Sequence, residues 1–262
     1  MTVRAKKHLG QHFLIDQQIS QKIADQFGAH QACYKVLEIG PGTGALTKFL
    51  LDREEIDLHV IDVDRESIAY LKENFPDLKG KIIEGDFLRM DVSKVLGNDP
   101  FAVVGNFPYN ISSQILFRCL ELRNQVPEIM GMFQKELAER IAVRPGTKTY
   151  GVISVLLQTF YDIEYCFTVS EHVFHPPPKV KSGVIRLTRN KRQTLPCDEK
   201  FYVQLVKACF NQRRKMIKNT VKAYLKEAPF EHRFLELRPE KLSVEDFIEL
   251  TCALEEYRSQ NA

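Results

Sequence analysis

No apolar run in this sequence approaches the roughly 20 residues that a bilayer-spanning helix needs. Its basic start, MTVRAKKHLGQHFL, lacks the apolar stretch of about 7–15 residues found in secretory signals. These absences point to a cytoplasmic protein with no membrane partner. No C-x-x-C pair occurs: Cys33, Cys119, Cys166, Cys197, Cys209 and Cys252 are scattered. That argues against a disulfide framework and against a zinc site, and no metal is expected. Small buried hydrophobes in a reducing compartment account for these cysteines. Neither an internal repeat nor a low-complexity linker is present. The phosphate-binding pattern G-x-x-x-x-G-K-[ST] is also missing, which disfavours a triphosphate ligand.

Acidic residues are missing from two stretches. His172–Cys197 holds six basic residues and no acid, and Lys200–Lys226 holds eight basic residues and no acid. The whole net charge of +3 lies in residues 190–262, where 14 Lys/Arg face 11 Asp/Glu. Like charges this dense repel one another, so a polyanionic partner is expected. In Lys200–Lys226, apolar Leu205, Cys209, Ile217, Val221 and Tyr224 mark a buried face. Arg213, Arg214, Lys215, Lys218 and Lys222 are left outside as candidate contacts with that polyanion. Most charge runs are simply solvated helix faces, but an acid-free run of eight is harder to read that way.

What is present is an ordinary globular composition. The chain has 262 residues, 44% hydrophobic and 27% charged, enough for one large domain and a small one. Strand-like segments Lys35–Ile39, Leu58–Val63, Lys81–Ile83, Phe101–Val104 and Glu128–Phe133 alternate with helical segments Ala45–Leu51, Glu66–Asn74, Ser112–Leu122 and Lys135–Val143. That rhythm predicts an α/β fold with a doubly wound, Rossmann-like sheet. Tyr150–Phe160 reads as a further helix. Ile163–Thr168 and Gly183–Leu187 read as strands around the loop Phe174–Pro178. Beyond Thr188 only helices are expected: Phe201–Phe210, Arg213–Leu225, Arg238–Glu240 onward and Val244–Glu255. The boundary falls near Asn190, giving residues 1–189 as the sheet domain and 190–262 as a small all-helical domain.

Doubly wound sheets bind ligands beyond the carboxyl ends of their strands. After the first strand comes Glu38-Ile-Gly40-Pro-Gly42-Thr-Gly44, a G-x-G-x-G turn. Dinucleotide folds carry G-x-G-x-x-G instead, so a hydride-transferring dehydrogenase is disfavoured. After the second strand sits Asp62, able to accept both hydroxyl protons of a ribose. Asp64 is the better placed helix N-cap. After the third comes Asp86, able to accept from an adenine amine, or serving as a plain turn residue. These turns suit a nucleoside without a triphosphate, and S-adenosylmethionine is such a ligand.

After the fourth strand comes Gly105-Asn-Phe-Pro-Tyr-Asn110. Pro108 lacks an N–H and keeps its predecessor extended, which turns carbonyls outward. An Asn106 oxygen and a nearby carbonyl can accept from one NH₂ group, while Tyr109 offers a flat face. An exocyclic amine on a ring is a weak nucleophile because its lone pair is delocalised. Two acceptors holding its hydrogens favour a pyramidal nitrogen and aim the lone pair at a sulfonium methyl.

The set Gln11–Leu14 (QHFL), EIGPGTG, VIDVD, GDF and GNFPYN resembles the ribosomal RNA adenine dimethyltransferases. Phe174–Val184 (FHPPPKVKSGV) and Phe210–Lys215 (FNQRRK) are similar to the branch acting on the bacterial small subunit. The resemblance runs from about Lys7 to the C-terminal helices. It implies methyl transfer from S-adenosylmethionine to N6 of two adjacent adenosines in a hairpin near the 3′ end of 16S ribosomal RNA, within an immature 30S subunit, by a monomer. It also implies that His12 and Leu14 belong to a segment closing over the cofactor, with Gly40 beneath it. Asp62 would take the ribose, Asp86 the adenine end and Asn106 the region of the methyl donor. Asn106 and the Pro108 carbonyl would hold N6, Tyr109 would stack on the base and Phe174 would cover its other face. The family often has Glu at 62, Leu at 107 and Asn at 12; Asp at 62 is one methylene shorter. The alternatives are a large-subunit ribosomal RNA adenine methyltransferase and a non-catalytic ribosome-assembly factor.

Overall fold

The computed structural model describes residues 3–28 and 30–261; Met1 and Thr2 of the basic start lie outside them. The chain forms two compact units, one of residues 1–138 and 162–189, the other of residues 139–161 and 190–262.

The first unit is built on nine strands: β1 (Phe13–Leu14), β2 (Lys35–Ile39), β3 (Asp57–Asp62), β4 (Ile82–Glu84), β5 (Ala102–Asn106), β6 (Glu128–Gln134), β7 (Tyr161–Val169), β8 (Phe174–His175) and β9 (Ser182–Arg189). Seven of them form one sheet in the order β4-β3-β2-β5-β6-β9-β7. β4, β3, β2, β5 and β6 run parallel, and β9 is antiparallel to β6. Helices α1 (Gln17–Gln26), α2 (Thr47–Leu51), α3 (Arg65–Asn74), α4 (Ser93–Leu96), α5 (Ser112–Glu121) and α6 (Lys135–Ala142) are interleaved with the strands. Parallel strands covered on both faces are apolar nearly throughout. Val36, Leu37, Val60, Val103, Val104 and Met130 are accordingly buried. Each such side chain contributes about 1.5–3 kcal/mol on burial. The expected strands and helices of this unit are all present, with ends shifted by a residue or two.

β1, β8, α1 and α4 were not among the expected elements. β1 and β8 make a two-stranded antiparallel pair, Phe13 opposite His175 and Leu14 opposite Phe174. Its two residues per strand are too few to show alternation. α1 starts at Asp16, whose carboxylate accepts the Gln18 and Ile19 N–H groups.

The second unit contains α7 (Val152–Phe160), α8 (Glu199–Asn211), α9 (Ile217–Val221) and α10 (Val244–Gln260), with 3₁₀ turns at Lys222–Tyr224 and Pro239–Lys241. One of its limits falls at 189/190. Segment 139–161 differs, because it joins these helices and not the sheet. α7 is apolar almost all round, and its Thr159 hydroxyl bonds the Tyr202 hydroxyl of α8 at 2.8 Å. The expected single helix Arg213–Leu225 is instead a turn followed by the short α9. Residues 211–215 are all exposed and apolar side chains are missing there. A short segment without a face to bury does not hold a helix. Ser243 caps α10: its hydroxyl accepts the Asp246 N–H at 3.1 Å while Asp246 accepts the Ser243 N–H at 2.9 Å. Among the described residues no helix is long and apolar enough to cross a membrane.

Two features tie the sheet to the ends of its strands. Gly105 and Gly131 lie opposite each other on β5 and β6, and the Phe107 ring packs over them. A Cβ on Gly131 would sit 2.3 Å from that ring. Glu38, at the end of β2, is buried and accepts the Thr47 hydroxyl of α2 at 2.7 Å. Burial pushes its carboxyl up to about 8, against the bond from Thr47, and nearby Asp62 adds to the rise.

Gly131→Ala is expected to displace Phe107 and to destabilise the protein by about 1–3 kcal/mol, read as a fall in Tm. Glu38 is protonated in the folded state over a range where the unfolded chain ionises it. Its contribution is therefore complete below the ordinary carboxyl range and is lost as pH rises through about 8. Thermal unfolding from about pH 5 to 8 should show the native protein losing more stability than Glu38→Gln.

Candidate active site

The chain moves outward from β2 through β3 to β4, then returns to β5 on the other side of β2. The switch point is the gap between the carboxyl ends of β2 and β5, where such sheets form a crevice. A cavity of about 220 Å³ opens there, and His12, Gly40, Asp62, Asp86, Asn106, Pro108 and Tyr109 all line it. The strand ends deliver these groups because parallel pairing keeps them in register.

The floor is the glycine turn. Gly40 has φ 67° and Gly42 φ 57°, a region that side chains other than glycine seldom occupy. A Cβ at Gly42 would also meet the Phe13 ring at 2.7 Å. Asp62 is buried beside this turn and accepts the Asp64 N–H at 2.9 Å. Burial raises its pKa, and the neighbouring Asp64 charge acts in the same direction. Asp86 accepts the Leu88 N–H at 2.9 Å, so it closes its own turn while facing the cavity. An adenosine-like group fits this donor set: left-handed glycines give close backbone approach, and two carboxylates meet hydroxyl or amine hydrogens. Val63, half-exposed and lining the same wall, adds an apolar surface that sequence reasoning missed.

The corner after β5 divides its two rings. Phe107 is buried, 4.9 Å from the Phe133 ring, and acts as a plug that holds the corner down. Tyr109 remains on the cavity wall, with its hydroxyl 2.5 Å from Ser182 Oγ on β9. Burial pushes the phenol up, against the Ser182 bond, so the ring is a neutral flat surface. Nothing in the sequence pattern pointed to Ser182. Asn106 donates through Nδ2 to the His12 carbonyl at 2.8 Å. His12 in turn lies 5.3 Å from the Tyr109 ring, and its Nδ1 is 2.8 Å from the Pro176 carbonyl. A carbonyl only accepts, so that Nδ1 carries the hydrogen.

Three expected placements differ. The Pro108 carbonyl already accepts the Ile111 N–H at 3.2 Å and the Ser112 hydroxyl at 2.8 Å. With both lone pairs engaged, it is not a free acceptor. Phe107 is also among the residues that line the cavity, and no hydrogen bond among the described residues ends on its carbonyl. Phe174 does not line it: alternation along β8 turns Phe174 inward and His175 outward. Phe174 is buried in the core cluster beside its strand partner Leu14. Leu14 reaches only a small adjoining pocket that Gly40 and Asn106 also line.

In the second unit Arg213, Arg214 and Lys215 are exposed on the turn after α8. Arg213 donates to the Lys148 carbonyl at 2.7 Å. That bond brings the exposed loop carrying Arg144 and Lys148 beside the turn, an extension the linear charge count did not reveal. Lys222 is exposed on the 3₁₀ turn that follows α9. Lys218 differs, because Glu236 holds its ammonium at 2.9 Å. An acid distant in sequence thus neutralises one member of the run.

Residues 2–257 match the family model described as ribosomal RNA adenine dimethylase. The chain is 56% identical over 253 residues to a protein of Cytophaga hutchinsonii named ribosomal RNA small subunit methyltransferase A, covering 96% of this chain and 98% of that one. The structure resembles the crystal structure of a dimethyladenosine transferase from Plasmodium falciparum. The TM-score is 0.79 at 25% identity, over 94% of this chain and 98% of that one. It also resembles the crystal structure of the 23S rRNA methyltransferase ErmE, with a TM-score of 0.65 at 27% identity, over 92% and 99% of the two chains. The fold is that of the class I methyltransferases, and the chain belongs to the ribosomal RNA adenine dimethylase family.

Proposed function

We propose that the protein methylates N6 of two adjacent adenosines in a hairpin near the 3′ end of 16S ribosomal RNA, giving N6,N6-dimethyladenosine during maturation of the 30S subunit. The observation that carries this reading is the meeting, in one cavity, of two carboxylates suited to a nucleoside with an amide corner suited to a flat amine. The high identity to small-subunit enzymes over nearly the whole chain supports the choice of substrate.

S-adenosylmethionine, when bound, supplies an electrophilic methyl on sulfur. Asp62 accepts the ribose hydroxyls, Asp86 the adenine amine, and the Gly40 turn lets the ligand approach the backbone. The target base leaves its stack at a cost of a few kcal/mol, and stacking on Tyr109 returns about 1–3 kcal/mol. Phe174 takes no part in that stacking, being core. The Asn106 Oδ1 and the Phe107 carbonyl, in place of the engaged Pro108 carbonyl, accept the two hydrogens of N6. This aims its lone pair, which is catalysis by orientation and fixed dipoles. Asn106 is neutral, so it positions the amine and does not take a proton; the surplus proton leaves to solvent. The exposed cations of the second unit bind the RNA backbone, with Arg214, Lys215 and Lys222 unpaired among the described residues.

Purified protein should methylate undermethylated 30S particles and leave 23S RNA unmodified; methylation of 23S RNA instead would sink the assignment. Asn106→Ala should lower that transfer by about 10²–10³. Neutralising Arg213, Arg214 and Lys215 together should weaken RNA binding and flatten its log–log salt dependence by about 2–3. Lys218→Gln, whose charge Glu236 already balances, should leave the slope nearly as it was; equal slopes for all variants would place the RNA surface elsewhere.

A further inference from the structure

An amide has two ends that differ in chemistry, and only one suits an amine substrate. If Asn106 presented its NH₂ to N6, donor would face donor. Its neighbours therefore decide whether the corner works. Among the described residues its Nδ2 has one partner, the His12 carbonyl, which accepts and cannot donate. That contact assigns the nitrogen to His12 and leaves Oδ1 for the cavity.

The His12 carbonyl is in place only if segment 6–12 is in place. The segment crosses the crevice from the end of β3 to the end of β5. At the β5 end, Gly10 has φ 66°, and a Cβ there would lie 2.5 Å from Asn110 Oδ1. Asn110 Nδ2 donates to the His8 carbonyl at 3.3 Å. At the β3 end, Asp64 holds two of its side chains. Lys6 Nζ lies 2.5 Å from Oδ1 and Gln11 Nε2 lies 3.1 Å from Oδ2. Gln11 Oε1 then accepts the Lys6 N–H at 2.8 Å, closing the ring of contacts. The Asp64 side chain is fully buried while that of Lys6 is 28% exposed. The same carboxylate caps α3 by accepting the Glu66 N–H at 3.0 Å. Capping alone asks for a single oxygen, and Asn would serve as well. The second oxygen takes Gln11 more closely than the Ser67 hydroxyl at 3.4 Å, and the charge pairs with Lys6, which Glu66 also reaches at 3.2 Å.

We propose that Asp64 is a positioning residue: by clamping Lys6 and Gln11 it seats segment 6–12, so that the His12 carbonyl fixes the Asn106 amide with its oxygen toward the substrate amine. The proposal rests on the methyltransferase reading above. It makes the segment part of the substrate-orienting machinery and not only a cover for the cofactor.

Asp64→Asn separates the two duties, since it keeps an N-cap and loses the clamp. With full-length protein and undermethylated 30S particles, its single-turnover rate at saturating S-adenosylmethionine should fall about tenfold. Its Tm should change little, because Asn caps as well as Asp. Lys6→Met should show the same loss, and Lys6→Arg, which keeps the charge, should recover most of it. In an Asn106→Ala background, Asp64→Asn should cause no further loss, because the amide it aims is gone. A raised KM for S-adenosylmethionine with an unchanged saturated rate would overturn the proposal, as would losses that multiply in the double variant. Native protein inactive on 30S particles would instead overturn the reading of the reaction, and the proposal with it.

Discussion

Everything in the crevice depends on the parallel pairing of β2 with both β3 and β5. Val36, Leu37 and Glu38 face Leu58, His59 and Val60 on one side and Ala102, Val103 and Val104 on the other. With register held over these residues, β2, β3, β4 and β5 stop at one edge. Gly40, Asp62, Asp86 and Asn106 are the residues that follow or close them. A slip of one residue would turn each to the opposite face. Burial of both faces makes such a slip costly, so the apolar runs that build the core also aim the polar groups.

The same economy governs the corner after β5. Phe107 and Tyr109 are near neighbours in the chain, but one is a foundation and the other a working surface. The Gly105–Gly131 pair removes two side chains from adjacent strands, and the Phe107 ring fills that space. With the ring anchored, Asn106 and Tyr109 have little freedom. Ser182 and His12 take up what remains, one at the phenol and one at the amide. Each partner comes from a different part of the chain, which is the general way in which a rigid site is made.

Charge is arranged differently in the two units. In the first, two buried carboxylates meet cations: Glu128 accepts the Gly28 and His30 N–H groups and pairs with Arg186. Asp64 is matched by Lys6. In the second, a row of cations stays in water on a turn that lacks any apolar anchor. Exposed cations are cheap to keep and fast to bind a polyanion.

The sequence by itself determined the architecture and most of the cavity. Strand and helix periods are local signals, and glycine, proline and acidic residues just after a strand report the crevice directly. Gly40, Asp62, Asp86, Asn106 and Tyr109 were legible for that reason, and His12 through the family resemblance. The tertiary structure decided what depends on partners distant in the chain. It gave Lys218 to Glu236, drew Phe174 into the core with Leu14, and moved segment 139–161 to the helical unit. It engaged the Pro108 carbonyl with the turn that follows, and it set the Asn106 amide against the His12 carbonyl. A motif states which groups are present; which of their lone pairs and hydrogens remain free is a property of the folded neighbourhood.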